Sequence, residues 1–350
     1  MYIEIYNLFT NVKKNLNIKI LFRFTFREGF GVKIKIMKEI KKVLVCGLGA
    51  IGTIYADKIQ RYDAENFRVL VDEARKDKYL KNPVTFNDVQ LNFNYLLPED
   101  NNFKADLIII ATKFTGLDEA IKNIKNFVQQ DTVILSLLNG VTSEDIIAAV
   151  YGKDKLLYSY FIGHSSVRSG NSITHDDVNN IVFGAENNLS ENVIRVKKYF
   201  DKIGINYTIP EDIKRSMWLK FMLNVCANQP TAILKMTFGE MLRNKNFMDF
   251  SVKIMEEVRD IAKAEGIHNT DTMIEETLEH LHTMIPWGKT SMLQDVEAGR
   301  RTEVDMFAGT VIDFGKKHGI PTPYNTILKS MIKIIEEDNA FKNLDTPIKV

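Results

Sequence analysis

Lys42-Val-Leu-Val-Cys46 is an apolar run of buried-strand type, followed at once by Gly47-Leu48-Gly49-Ala50-Ile51-Gly52 and a helical pattern from Ala50 to about Tyr62. Three glycines alone constrain little. Strand, glycine turn and helix in this order constrain a great deal, because each glycine has its own physical task. Gly47 allows the tight turn, Gly49 lets the backbone approach a pyrophosphate, and Gly52 lets the helix pack close to the strand. The helix N-terminus then offers free amides and the positive end of its dipole to the phosphates. The pattern predicts a βαβ unit that binds a dinucleotide through Gly47 to Gly52; a purely structural turn is the alternative.

The next segments extend the same arrangement. Phe67 to Val71 reads as a second strand, and Asp72 follows it 20 residues after Gly52. An acid there commonly holds the adenosine ribose of NAD, whereas a nearby arginine accommodates the 2′-phosphate of NADP. This chain offers both, since Asp72 and Glu73 are followed by Arg75, Lys76 and Lys78; a solvated charged loop also fits some of them. Ala105 to Ala111 is a continuous apolar strand ending in Thr112-Lys113, with a helix expected over 116–129. Thr132 to Leu138 is another strand, closed by Asn139-Gly140. Ligands of doubly wound sheets sit at the carboxyl ends of the strands, which places Lys113 and Asn139 toward cofactor or substrate. Short strands follow at 156–162, 170–174 and 180–183, then a helix at 190–202 and a last strand at 205–208.

Beyond Pro210 the pattern is helical, with candidate helices at about 211–228, 247–265, 270–284, 290–299, 303–318 and 322–337. On the first of these, Lys220, Asn224 and Asn228 recur every fourth residue and share one face. The residues between them are apolar around most of the circumference, as in a helix buried on several sides. A lone lysine on a helix is usually solvated, since lysine is rarely buried. Two asparagines in register with it point instead to a polar site. Thr290 and Ser291 stand where a helix cap would, and Glu303 and Asp305 open the next helix, where its dipole favours carboxylates.

Composition excludes several classes. With 46 Lys and Arg against 45 Asp and Glu in 350 residues, no global field favours nucleic acid or an anionic membrane. The two cysteines, Cys46 and Cys226, imply no disulfide framework and suit a reducing cytoplasm; neither has neighbours at metal-ligand spacing. No apolar run approaches the roughly 20 residues needed to span a bilayer. Residues 1–38 read as an N-terminal extension, rich in Lys, Phe, Ile and Asn; Met37 precedes the first domain, so residues 1–36 are expected to be an upstream start or a dispensable arm.

Gly47-x-Gly-Ala-x-Gly52, Leu138-Asn139-Gly140, Trp218-x-Lys220-x-x-x-Asn224-x-x-x-Asn228, Ser291-Met-Leu-Gln-Asp295 and Arg301-Thr-Glu303-Val-Asp305 fall in an order and spacing that resembles the ketopantoate reductases, or 2-dehydropantoate 2-reductases. The resemblance covers about residues 41–337. It implies an α/β Rossmann-type NADP-binding domain at 39–209, then an all-α domain at 210–350, with the active site in the cleft between them. It implies NADPH-dependent reduction of 2-dehydropantoate to (R)-pantoate, a step toward pantothenate and coenzyme A, with NAD also open as cofactor. Lys220 matches the family's general acid, and Glu303 matches an acidic residue beside nicotinamide and substrate. Asn139, Asn224, Asn228 and Ser291 match substrate-binding positions, with Lys220 among them. Gly47, Leu48, Gly49, Ala50, Ile51, Gly52, Arg75, Lys113, Asn139, Ser166 and Glu303 match cofactor-binding positions. Arg75 is the nearest match to the arginine that reads the 2′-phosphate, on a longer loop than usual, and Phe238 stands where some members carry a polar substrate contact. Two rivals share the architecture: a reductase of another 2-keto acid, and a nucleotide-sensing protein without catalysis. The Met- and Phe-rich helices of the second half offer a surface for a homodimer.

Overall fold

The computed structural model describes residues 37–163, 167–176 and 178–342. The expected arm at 1–36 and the candidate cofactor residue Ser166 lie outside the described residues.

The first half is built on an eight-stranded sheet. Its strands are β1 (Val43–Cys46), β2 (Phe67–Leu70), β5 (Tyr95–Leu96), β6 (Leu107–Ile110), β7 (Val133–Ser136), β8 (Leu156–Gly163), β11 (Asn179–Gly184) and β12 (Tyr207–Thr208). Their order is β12-β11-β8-β7-β6-β1-β2-β5, parallel throughout except where β8 and β11 pair antiparallel. The central strands β1, β6 and β7 are buried along their whole length, the pattern of a parallel sheet covered on both faces. Residues alternate between two cores: Val43, Val45, Leu107 and Ile109 pack on one face, Leu44, Cys46, Ile108 and Ile110 on the other. Chain order reverses between β1 and β6, and at that switch point a crevice opens beyond the strand ends. A four-stranded sheet, β4-β3-β10-β9, adds β3 (Val84–Phe86), β4 (Val89–Leu91), β9 (Val167–Ser169) and β10 (Ser172–Thr174).

Helices of this half are α1 (Ala50–Asp63), α2 (Glu73–Lys81), α3 (Leu117–Asn123), α4 (Ser143–Tyr151) and α5 (Glu191–Ile203). The charged stretch after β2 is therefore a helix, because the Asp72 carboxylate accepts from the Arg75 amide at 2.6 Å and caps it. Helix α3 is shorter than the expected span, since a tight turn closes from Phe127 N to Ile124 O.

The second half is helical: α6 (Ile213–Leu234), α7 (Phe238–Arg243), α8 (Lys245–Ala264), α9 (Met273–His282), α10 (Ser291–Glu297), α11 (Thr310–His318) and α12 (Pro323–Lys342). Helix α6 packs against α8, α9, α10 and α12 and buries Trp218, Phe221, Met222, Val225 and Cys226. It starts at Asp212, whose side chain accepts from Arg215 N, and it runs a turn and a half beyond the expected end. Pro230 lies inside it and lacks the amide that would bond the Cys226 carbonyl. Ser251 Oγ of α8 reaches that carbonyl at 3.4 Å instead. Helix α7 was not expected from periodicity; at six residues it is held by a reciprocal capping box of Thr237 and Glu240. The expected helix at 303–318 is present from Val304 on, with a π-type segment, Asp305–Gly309, leading directly into α11. No described helix is long and apolar enough to cross a membrane.

Candidate active site

The glycine turn closes β1 against the end of β6. Gly47 has φ +104°, and a Cβ there would lie 2.8 Å from the Ala111 carbonyl carbon. A Cβ on Gly52 would meet the Gly47 carbonyl oxygen at 1.9 Å, so α1 sits on the turn as closely as the fingerprint requires. Gly49 is different: a Cβ there would find only Ala111 O, at an ordinary 3.7 Å, and the space beyond is open. Gly49 also caps α1 without a side chain, leaving the first-turn amides toward that space. The space is a cavity of about 790 Å³. Its inner end is lined by Gly47, Leu48, Gly49, Ala50 and Ile51, and one side by Asp72, Arg75, Lys78 and Tyr79. Its far end reaches Lys113, Asn139, Ser291, Asp295, Arg300 and Glu303. Room, glycine cradle and free amides together fit a dinucleotide.

At the far end the two halves of the chain meet through polar side chains. Asn139 follows β7, on the sheet side, and its amide is read from both directions. Lys220 Nζ donates to Asn139 Oδ1 at 3.0 Å, and Asn139 Nδ2 donates to Glu303 Oε2 at 3.1 Å. Lys220 also donates to the Phe161 carbonyl at 2.6 Å and lies over the Tyr160 ring, 5.0 Å from its centroid. An ammonium has three N–H bonds, and these two contacts use two of them. Burial pulls the Lys220 pKa down to about 8, against the opposing pull of the Glu303 and Glu144 carboxylates. Burial raises Glu303 as well, countered by the Asn139 hydrogen bond and the charges of Lys113 and Lys220.

Asn224 and Asn228 continue the polar face of α6. Asn228 Nδ2 donates to Asn224 Oδ1 at 3.2 Å, while its own Oδ1 accepts from Ser291 Oγ at 3.1 Å and Met292 N at 3.2 Å. Thr290, not Ser291, caps α10, accepting from Leu293 N. Ser291 is thereby released toward the cleft. Glu303 likewise faces Asn139 instead of capping a helix, and Asp305 pairs with Lys329 and Lys333.

The structure thus brings Lys220, Asn139 and Glu303 into one chain of contacts and Asn224, Asn228 and Ser291 into a second, adjoining one. Lys220, Asn224 and Asn228 sit behind the cavity wall formed by Asn139, Glu303 and Ser291, and Gly52 lies beneath the turn. Four residues contribute that the sequence did not mark as site residues. Asp295 holds Lys113 at 3.0 Å across the cleft and its near neighbour Arg300 at 2.8 Å. Tyr160 and the Phe161 carbonyl form the floor under Lys220, which only the register of β8 reveals. Glu144, on the first turn of α4, is fully buried and raised to about 7 by that burial. Its Oε2 accepts from Ser143 Oγ at 2.9 Å, and its proximity to the Asn139-Gly140 turn was its sole sequence signal.

Two family models match the chain: "Ketopantoate reductase PanE/ApbA" over residues 43–188 and "Ketopantoate reductase PanE/ApbA C terminal" over residues 212–336. The chain belongs to the ketopantoate reductase family. Its relatives include the 2-dehydropantoate 2-reductase of Aquifex aeolicus, 23% identical over 85% of this chain and 97% of the relative. The uncharacterized oxidoreductase YkpB of Bacillus subtilis is 22% identical over 85% of this chain and 99% of its own. Among solved structures, D-mandelate dehydrogenase with NADH and anilino(oxo)acetate superposes with a TM-score of 0.76 at 22% identity, covering 85% of this chain and 99% of that one. A family ketopantoate reductase from Ralstonia eutropha gives 0.73 at 22% identity, with the same coverage. At these identities the superpositions establish the fold. Membership of the ketopantoate reductase family makes this member an NAD(P)-dependent oxidoreductase, and the groove that starts at Gly47 is where its nicotinamide dinucleotide fits.

Proposed function

We propose that the protein reduces 2-dehydropantoate to (R)-pantoate, in the cytoplasm and toward pantothenate and coenzyme A. The observation that carries this reading is the relay from Lys220 through Asn139 to Glu303 at the far end of the dinucleotide groove. When bound in the groove that begins at Gly47, a reduced nicotinamide cofactor would supply the hydride for the keto carbon. Negative charge would then develop on the keto oxygen, and in this reading the remaining Lys220 N–H stabilises it and donates the proton once substrate reaches past Asn139. Phe161 O and Asn139 Oδ1 fix the ammonium, so little reorganisation accompanies the transfer. Glu303, through Asn139, keeps positive charge favourable at Lys220. Asn224, Asn228 and Ser291 offer neutral donors and acceptors, suited to a hydroxylated 2-keto acid. Lys113 and Ser291 both line the groove, which supports a role for them in holding carboxylate or cofactor.

A second reading, a reductase of a more apolar 2-keto acid, draws its support from the superposition on D-mandelate dehydrogenase with NADH and anilino(oxo)acetate. A panel of 2-keto acids assayed with the full chain separates the two. The expected result is the highest kcat/KM on 2-dehydropantoate; a higher value on an arylated or unhydroxylated keto acid would replace the first reading with the second.

A further inference from the structure

The adenosine end of the groove carries a feature that the reaction centre does not explain. Asp72 stands just beyond β2, with both carboxylate oxygens directed to Arg75. Oδ1 accepts from the Arg75 amide at 2.6 Å, and Oδ2 pairs with the guanidinium Nη1 at 2.9 Å. The two side chains differ in how firmly they are held. Asp72 is the N-cap of α2 and is 35% exposed; Arg75 is the outer partner, 58% exposed. Both face the cavity that begins at Gly47.

An adenosine ribose with a free 2′-hydroxyl finds in Asp72 an acceptor already aimed by its cap, and each oxygen keeps a lone pair for it. A 2′-phosphate brings about two negative charges to the same place. It meets a carboxylate that cannot withdraw without uncapping α2. It gains Arg75 only by taking the guanidinium from an existing ion pair, and among the described residues Lys78 is the other cation on that wall. A positively charged clamp would need Arg75 unengaged; here the local charge of the pair is already balanced.

We propose that this protein takes NADH in preference to NADPH, with Asp72 as the specificity-determining residue and Arg75 as its neutralising partner. This rests on the dinucleotide groove of the functional reading and is independent of which keto acid is reduced. The test is calorimetric titration of the full chain with NADH and with NADPH, without keto acid. NADH is expected to bind at least about tenfold more tightly, the scale set by placing like charges side by side. Asp72→Asn keeps a capping side chain and removes the charge, so the preference should narrow or reverse while the fold is retained by circular dichroism. Arg75→Ala should weaken NADPH and leave NADH favoured. Tighter binding of NADPH by the unaltered protein would overturn the proposal, as would an unchanged ratio in Asp72→Asn or no binding of either dinucleotide. An NADH preference without turnover of 2-dehydropantoate would sustain the cofactor assignment and count against the substrate alone.

Discussion

At the scale of single residues, the site depends on a lysine that folding has made unusual. Burial lowers Lys220 to about 8, near enough to neutrality for efficient proton donation, and the carboxylates of Glu303 and Glu144 stop it from falling further. Lys220→Ala should lower turnover by at least about a hundredfold, the low end for losing a positioned acid. Near-normal steady-state rates in that variant would reject Lys220 as the acid. The pH profile follows from the same group. Keto reduction needs the protonated ammonium, so kcat/KM should be level below about 8 and fall above it, whereas alcohol oxidation needs the free amine and should rise across that range. Glu144→Gln removes an opposing negative charge and should move the midpoint of both profiles to lower pH. A midpoint left unchanged by Glu144→Gln would show that the buried carboxyl has no hold on the lysine.

At the scale of elements, α6 does two things at once: it is the central helix of the second core and the carrier of the polar stripe. Asn228 joins these roles, because its Oδ1 takes the Ser291 hydroxyl and the Met292 amide at the start of α10. Without it, an inner amide of α10 loses its partner. Asn228→Ala should therefore destabilise the fold by about 1–3 kcal/mol, the cost of stranding a buried donor, and also raise KM for the keto acid. Chemical denaturation and steady-state kinetics on the same preparation would check both; a loss of binding with unaltered stability would mean that Asn228 acts on substrate alone. Helix α6 also shows why periodicity misjudged its length. Proline normally ends a helix, yet Ser251 of α8 offers the Cys226 carbonyl a partner that Pro230 cannot, and α6 continues until Lys235 adopts the left-handed conformation.

At the scale of the whole molecule, sheet and helical halves have separate apolar cores, and the cleft is bridged by Lys113 with Asp295, Lys220 with Asn139, and Asn139 with Glu303. The Lys113–Asp295 pair, with a half-exposed lysine, contributes no more than about 1 kcal/mol and weakens with salt. A buried apolar cluster of Tyr160, Val182, Ile213 and Met217 also joins the two halves, and ligand binding would add to it. A dinucleotide that binds only the folded chain should stabilise it by about 2.7 kcal/mol at a hundredfold excess over its Kd. The corresponding rise in Tm is measurable by scanning calorimetry, and its absence with both NADH and NADPH would contradict the assignment of the groove.

Local pattern was enough to place the nucleotide turn, the buried parallel strands and the Lys220, Asn224 and Asn228 face, since each depends on backbone geometry or on a period of two or 3.6 residues. Family resemblance then supplied the partners from distant segments. What only the tertiary structure decided is how those side chains are used. Thr290 took the capping role that left Ser291 for Asn228, Glu303 turned to Asn139, and Asp295 joined Lys113 to Arg300. The charged run after β2 became a helix because Asp72 caps it, and the same carboxylate engages Arg75. Each of these is a competition among several possible hydrogen-bond or ion partners. Sequence fixes which groups are available, but the winner is set by packing distances that only the folded chain establishes.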